Sequence, residues 1–239
     1  MSKKSAPQII VALDVPSVEA VAPIVETLPA ELHWYKVGLE LFTAAGPHVI
    51  EILKARRKRV FLDLKLHDIP RTVERAVAAA SALGVDMLTV HAGGGRTMLA
   101  AAAKGAKAAG KTRPKLVAVT VLTSLDQSDL TLLGVRRRVD RHALSLAETA
   151  VHAGIDGVVC SVHEAAKMRK KLGKKALLVT PGIRPEGSAA ADQKRIATPS
   201  YAVASGSNYL VVGRPILAAN DPAKAASLIM AEAATAASR

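Results

Sequence analysis

Three ionisable residues, Asp63, Lys65 and Asp68, stand at the end of an otherwise apolar run in the stretch RVFLDLKLHDIPRT, residues 59–72. Val60, Phe61, Leu62, Leu64 and Leu66 read as a short buried strand, a costly place for charge. Side chains alternate along a strand, so Asp63 and Lys65 share one face about 7 Å apart and the leucines take the other. Asp68 follows in a turn, and Pro70 marks the start of a helix over 71–83. Two carboxylates around one ammonium exceed what a structural ion pair requires. Each sign favours the charged form of the other, which leaves the lysine as a protonated acid held ready. The plainer reading, an Asp–Lys pair capping a strand, accounts for only one of the two carboxylates.

Such a cluster needs a scaffold that brings several strand ends together. The 239 residues can bury one large core, and with aromatics at 3% that core is built from Ala, Val, Leu and Ile. Strands are expected at 8–13, 34–37, 60–66, 86–90, 116–121, 157–161, 176–180 and 209–212. Helices are expected at 18–28, 47–56, 71–83, 96–109, 141–153, 164–172 and 199–206, with a last one from 222. Residues 126–140 read as a polar connection, and 181–197, PGIRPEGSAAADQKRIA, as a long loop of the kind that usually carries function. Eight strand-then-helix units at near-regular spacing predict a (β/α)8 TIM barrel occupying residues 1–239 as a single domain. A doubly wound open sheet is the alternative, weakened in its dinucleotide-binding form because no GxGxxG follows the first strand.

On a barrel, the C-terminal ends of the strands face one site. Those ends carry Asp14, Lys36, Asp63, Lys65, His91, Thr123 and Arg214. The segments after strands seven and eight, where barrels commonly hold phosphate, supply Arg184 and Gln193, then Gly213 and Arg214. Arginine grips phosphate through paired hydrogen bonds, and a glycine lets the backbone approach. Asp14 and Lys36 suit either a mutual ion pair or the hydroxyls of a sugar. His91, with Gly93–Gly95 behind it, reads either as a group supporting the site from behind or as a structural histidine at a tight turn, the structural role being preferred. No histidine pair or acidic trio shows metal-ligand spacing, and Lys65 competes with any cation between Asp63 and Asp68, so neither metal nor cofactor is expected.

The formal charge of +13 implies attraction to anions. Its main runs, residues 54–59, 136–138 and 167–175, lack interleaved aromatics and read as solvated helix ends and loops, not as a nucleic-acid surface. The lone Cys160 allows no intrachain disulfide and reads as a buried small hydrophobe. With no signal-type apolar segment and no run of the ~18 residues needed to span a bilayer, a soluble cytoplasmic protein with no membrane partner is expected.

The strings FLDLKLHDIP, WYKVG, AVTVLTS, TPGIRPEG followed by DQKR, and VVGRPI occur in order over nearly the whole chain. Together they resemble the orotidine 5′-phosphate decarboxylases of the bacterial type. A lone D-x-K-x-x-x-x-D is shared with Mg²⁺-dependent 3-keto-L-gulonate 6-phosphate decarboxylases and hexulose phosphate synthases. In those relatives an acidic residue tends to stand where this chain has Lys36, so a Mg²⁺-dependent phosphosugar lyase is the alternative. The resemblance implies a carboxy-lyase that converts orotidine 5′-phosphate to UMP and CO₂ in pyrimidine biosynthesis, without metal or organic cofactor. It also implies a homodimer in which Asp68 reaches the neighbouring site. Lys36, Asp63, Lys65 and Asp68 then form the catalytic network, with Lys65 protonating C6. Asp14 and Lys36 hold the ribose, and Thr72, Thr123 and Pro181 are further substrate contacts. Arg184, Gln193, Gly213 and Arg214 bind the phosphate.

Overall fold

The computed structural model describes residues 7–185 and 197–238. β1 (Gln8–Leu13) leads through a 3-10 turn into α1 (Val21–Thr27), and β2 (Trp34–Val37) into α2 (Leu39–Ala45) and α3 (His48–Ala55). β3 (Arg59–Leu66) leads into α4 (Pro70–Ala82), β4 (Met87–His91) into α5 (Gly95–Lys107), and β5 (Lys115–Val119) into α6 (Gln127–Leu132) and α7 (Val139–His152). β6 (Gly157–Val159) precedes α8 (Val162–Leu172), and β7 (Leu177–Thr180) precedes α9 (Pro199–Ala204). β8 (Tyr209–Val212) is followed by α10 (Arg214–Leu217) and α11 (Pro222–Ala237).

The eight strands pair in parallel in sequence order, and β8 returns to β1 to close a (β/α)8 barrel. Closure follows from the alternation within each strand. Val11, Leu13, Tyr35, Val37, Val60 and Leu62 face outward and are sealed by apolar helix faces, for example Val73 and Val77 of α4. Ile10, Ala12, Trp34, Phe61, Met87, Val117, Val179, Tyr209 and Val211 point inward and fill the barrel interior as a separate apolar cluster. Trp34 and Tyr209 meet edge to face there, ring centroids 5.3 Å apart.

Two glycines set close approaches. A Cβ on Gly105 would lie 2.3 Å from the carbonyl oxygen of Glu74, so α5 packs directly on the backbone of α4. A Cβ on Gly157 would lie 2.1 Å from the Leu177 carbonyl oxygen, which holds β6 against β7.

Three elements depart from the pattern expected of the sequence. α2 precedes the helix expected at 47–56, because Gly46 and Pro47 divide what would otherwise be one helix. α6 lies inside the polar connection, started by Asp126, whose carboxylate accepts from the N–H groups of Ser128 and Asp129 while Asp129 returns the bond to the Asp126 N–H. The four residues of α10 follow directly on Gly213. The basic runs also do more than meet solvent. Arg169 donates to the carbonyls of Gly173, Ala176 and Gly206 and to Asn208 Oδ1, tying the end of α8 to the strand starts beneath it. Lys58 likewise caps the carbonyls of Ala30 and Leu32.

Candidate active site

At the C-terminal mouth of the barrel the inward-facing positions change from apolar to charged. One step beyond Ala12, Trp34 and Phe61 along their strands stand Asp14, Lys36 and Asp63, and Lys65 follows. All four line a cavity of about 490 Å³, within the usual range for small-molecule sites.

Neighbouring strands set the order of charges. Lys36 on β2 donates to Asp14 Oδ1 at 2.9 Å and lies 4.0 Å from Asp63 Oδ2. Lys65 donates to the same Asp63 oxygen at 2.9 Å. The result is an alternating row, Asp14, Lys36, Asp63, Lys65. Lys36 and Asp63 are 11% and 14% exposed at their side chains, so the middle of the row is the driest part. Gly38 and Gly213 leave room for it: a Cβ on Gly38 would sit 3.0 Å from Lys36 Nζ, and one on Gly213 3.3 Å from Asp14 Oδ2.

β3 is irregular at this point. Leu62 pairs with Leu88 and Leu66 with Val90, so Asp63, Leu64 and Lys65 stand opposite Thr89 alone. Lys65 takes the left-handed backbone conformation, φ 50°, an uncommon one for a residue with a side chain. Its N–H donates to Thr89 Oγ1 at 2.8 Å, and Thr89 Oγ1 donates to Asp63 Oδ1 at 3.0 Å.

His91 ends β4 beside this group. Its Nδ1 accepts from the Gly93 N–H at 3.1 Å, which places the proton of the neutral ring on Nε2, and its ring stacks on His67 with centroids 5.0 Å apart. Burial pushes His91 below the usual imidazole range, and the nearby His67 and Lys65 add to the effect. The bond to Gly93 fits a role at the turn, and the proximity to Lys65 fits a supporting role behind the site.

Pro181, Gly182, Ile183 and Arg184 follow β7, and Gly213 and Arg214 follow β8 next to Asp14 on β1; all line the same cavity. Arg184 N–H donates to the Ala197 carbonyl at 2.9 Å, and Ala197 N–H to the Gly182 carbonyl at 3.0 Å, so the two chain ends flanking 186–196 are fastened together. Gln193 lies outside the described residues. Between the charged row and the arginines, Val119, Leu122, Thr123, Val159 and the buried Cys160 make a largely apolar wall.

A model of the orotidine 5′-phosphate decarboxylase / HUMPS family matches residues 7–229. The chain belongs to this family. It is 52% identical over 236 residues to the orotidine 5′-phosphate decarboxylase of Halorhodospira halophila, covering 99% of this chain and all of that one. It is 48% identical to the enzyme of the same name from a Nostoc species, covering 95% and 98% of the two chains. The crystal structure of orotidine 5′-phosphate decarboxylase from Lactobacillus acidophilus superposes with a TM-score of 0.85 at 42% identity, covering 95% and 98%.

Of the site residues expected from the sequence of this family member, Asp14, Lys36, Asp63, Lys65, Thr123, Pro181, Arg184, Gly213 and Arg214 meet around the one cavity. Asp68 and Thr72 do not line it. Both are exposed at the start of α4, where Asp68 Oδ1 accepts from the Ile69 N–H at 2.7 Å and Ile69 is 67% exposed. Sequence reasoning missed Thr89 and Gly38. The signal for Thr89 was its parity with Met87 and His91 on β4, which turns it inward.

Proposed function

We propose that this protein is an orotidine 5′-phosphate decarboxylase, a carboxy-lyase converting orotidine 5′-phosphate to UMP and CO₂ in pyrimidine biosynthesis. The observation that carries the reading is the unbroken row Asp14, Lys36, Asp63, Lys65 sharing one cavity with Arg184 and Arg214. An anion grip at one end and a charged reaction centre at the other suit a phosphorylated, carboxylated substrate. Lys36 stands where the Mg²⁺-dependent phosphosugar lyases tend to carry an acidic residue, and its ammonium already fills the gap between Asp14 and Asp63, which favours the decarboxylase.

In this reading Arg184, Gln193, Gly213 and Arg214 hold the phosphate and Asp14 and Lys36 the ribose. The base lies against Thr123 and Pro181. Breaking the bond between C6 and the carboxylate releases CO₂ and leaves the electron pair on C6. The Lys65 ammonium stabilises that charge and transfers its proton to C6, giving UMP. Asp63, itself held by two ammonium groups, faces the substrate carboxylate and loses a repulsive neighbour as CO₂ departs. Phosphate binding far from C6 supplies energy to hold the base in register. No metal or organic cofactor enters these steps.

The protein acts as a homodimer in which Asp68, with Thr72 beside it, completes the partner's site. That arrangement explains why exposed Asp68 and Ile69 stand at the rim and outside their own cavity. Each barrel is one domain, and the enzyme works in the cytoplasm without nucleic-acid or membrane partners. Among the described residues no helix is long and apolar enough to cross a membrane.

The test is the ultraviolet spectrum of orotidine 5′-phosphate incubated with purified protein in excess EDTA, beside a Lys65→Ala control. Conversion to UMP by the unaltered protein alone is expected. No conversion by folded protein would overturn the reading.

A further inference from the structure

Thr89 is wholly buried, and its hydroxyl has two partners of fixed polarity. The Lys65 N–H can only donate, at 2.8 Å, and the ionised Asp63 carboxylate can only accept, at 3.0 Å. The single hydroxyl proton is therefore committed to Asp63, and its lone pair to Lys65. Thr89 is also the one β4 residue opposite the three-residue excursion of β3, so the Lys65 N–H, displaced from the strand ladder, finds its acceptor in this side chain.

We infer that Thr89 is a positioning residue for the decarboxylation, acting through Asp63 and Lys65 without touching substrate. The inference rests on the decarboxylase reading. By occupying Asp63 Oδ1, Thr89 sets the rotation of the carboxylate so that Oδ2 faces both Lys65 and Lys36. By accepting from the Lys65 N–H, it holds the left-handed backbone from which the ammonium projects. Threonine suits the task because its branched Cβ restricts the hydroxyl to few orientations. Without the hydroxyl, Asp63 can turn and the Lys65 backbone loses its acceptor, misplacing the proton donor while the phosphate end is untouched.

The test compares Thr89→Val, which keeps the branched shape and removes the hydroxyl, with Thr89→Ser, which keeps the hydroxyl. Thr89→Val is expected to lower kcat by about 100-fold, the scale on which misplacement of a reacting group acts. Affinity for UMP is expected to stay within about threefold, and Thr89→Ser to recover most of kcat. If Thr89→Val does not fold, Thr89→Ala against Thr89→Ser makes the same comparison. A hydroxyl-free variant with unaltered kcat, a serine variant as slow as the valine one, or UMP affinity lost in step with kcat would each overturn the role of Thr89. Unaltered protein that leaves orotidine 5′-phosphate unchanged would instead overturn the functional reading itself.

Discussion

The Lys65 ammonium lies 2.9 Å from the Asp63 carboxylate two residues before it on the same strand. The same carboxylate oxygen is 4.0 Å from Lys36 on the neighbouring strand. One oxygen thus serves two cations, and a change to any member of the row is felt by the others.

Arg214 is assigned to the phosphate, so its effect must follow the phosphate. Hydrogen bonds to charged groups contribute about 1.5–3 kcal/mol each, and Arg214→Ala is expected to lower kcat/KM for orotidine 5′-phosphate by about 100-fold. Orotidine, which lacks the phosphate, should react equally slowly with both proteins. Steady-state kinetics on the two substrates decide it, and an equal loss on both would remove Arg214 from the phosphate site.

A site shared between protomers, as proposed for Asp68, makes a prediction that a self-contained one does not. Lys65→Ala and Asp68→Ala homodimers should each be nearly inactive. Mixed and re-equilibrated in equal amounts, half of the dimers are hybrids with one intact site, restoring up to about a quarter of normal activity. Activity that stays at the level of the separate variants would argue against Asp68 acting across an interface.

Tyr35, beside Lys36 but on the outward face of β2, has a wholly buried hydroxyl, and among the described residues it is the one buried side-chain oxygen without a hydrogen-bond partner. Burial pushes its phenol up to about 12. Tyr35→Phe removes an unsatisfied polar atom and should stabilise the fold by about 1 kcal/mol, raising Tm by roughly 2–4 °C. Calorimetry of the two proteins checks the sign, and a lower Tm would mean that the hydroxyl has a partner in solution.

Stability should also fall on mild acidification. The fold holds His91 neutral, and His142, depressed by burial and by Arg137, acts in the same direction. The unfolded chain takes up protons at these histidines near pH 6.5 while the folded chain resists. Their contribution is therefore complete above about pH 6.5 and is lost as pH falls through the depressed folded values. Thermal melts from pH 8 to 5 should show the decline, and His91→Gln should flatten it. A slope identical to that of the unaltered protein would discount His91.

Much of this was legible in the chain. β1, β2 and β8 span the residues their apolar runs predict, because a strand buried on both faces reads as an unbroken apolar segment between turns. The charged strand ends were legible because polarity stands out where burial is expected, and both arginines because they follow strands seven and eight, where barrels commonly hold phosphate. Three things were not. The seven-residue helix before Gly46 is too short for its period to stand apart from the helix that follows. The left-handed Lys65 leaves no trace in VFLDLKL, which alternates like a regular strand, since the distortion is imposed by pairing with β4. Thr89 was hidden because a threonine inside DMLTV is ordinary strand composition, and its value arises only when β3 gives up its regular ladder opposite it.

The apolar cluster that fills the barrel beneath the charged row has a consequence for proton supply. Phe61, Trp34 and Val211 lie in that floor, which makes it a poor route for water to Lys65. In the proposed mechanism the proton that Lys65 gives to each product is replaced most readily through the mouth, the same opening by which product leaves. Recharging the proposed acid would thereby be linked to release, as in a vessel emptied and refilled through one opening.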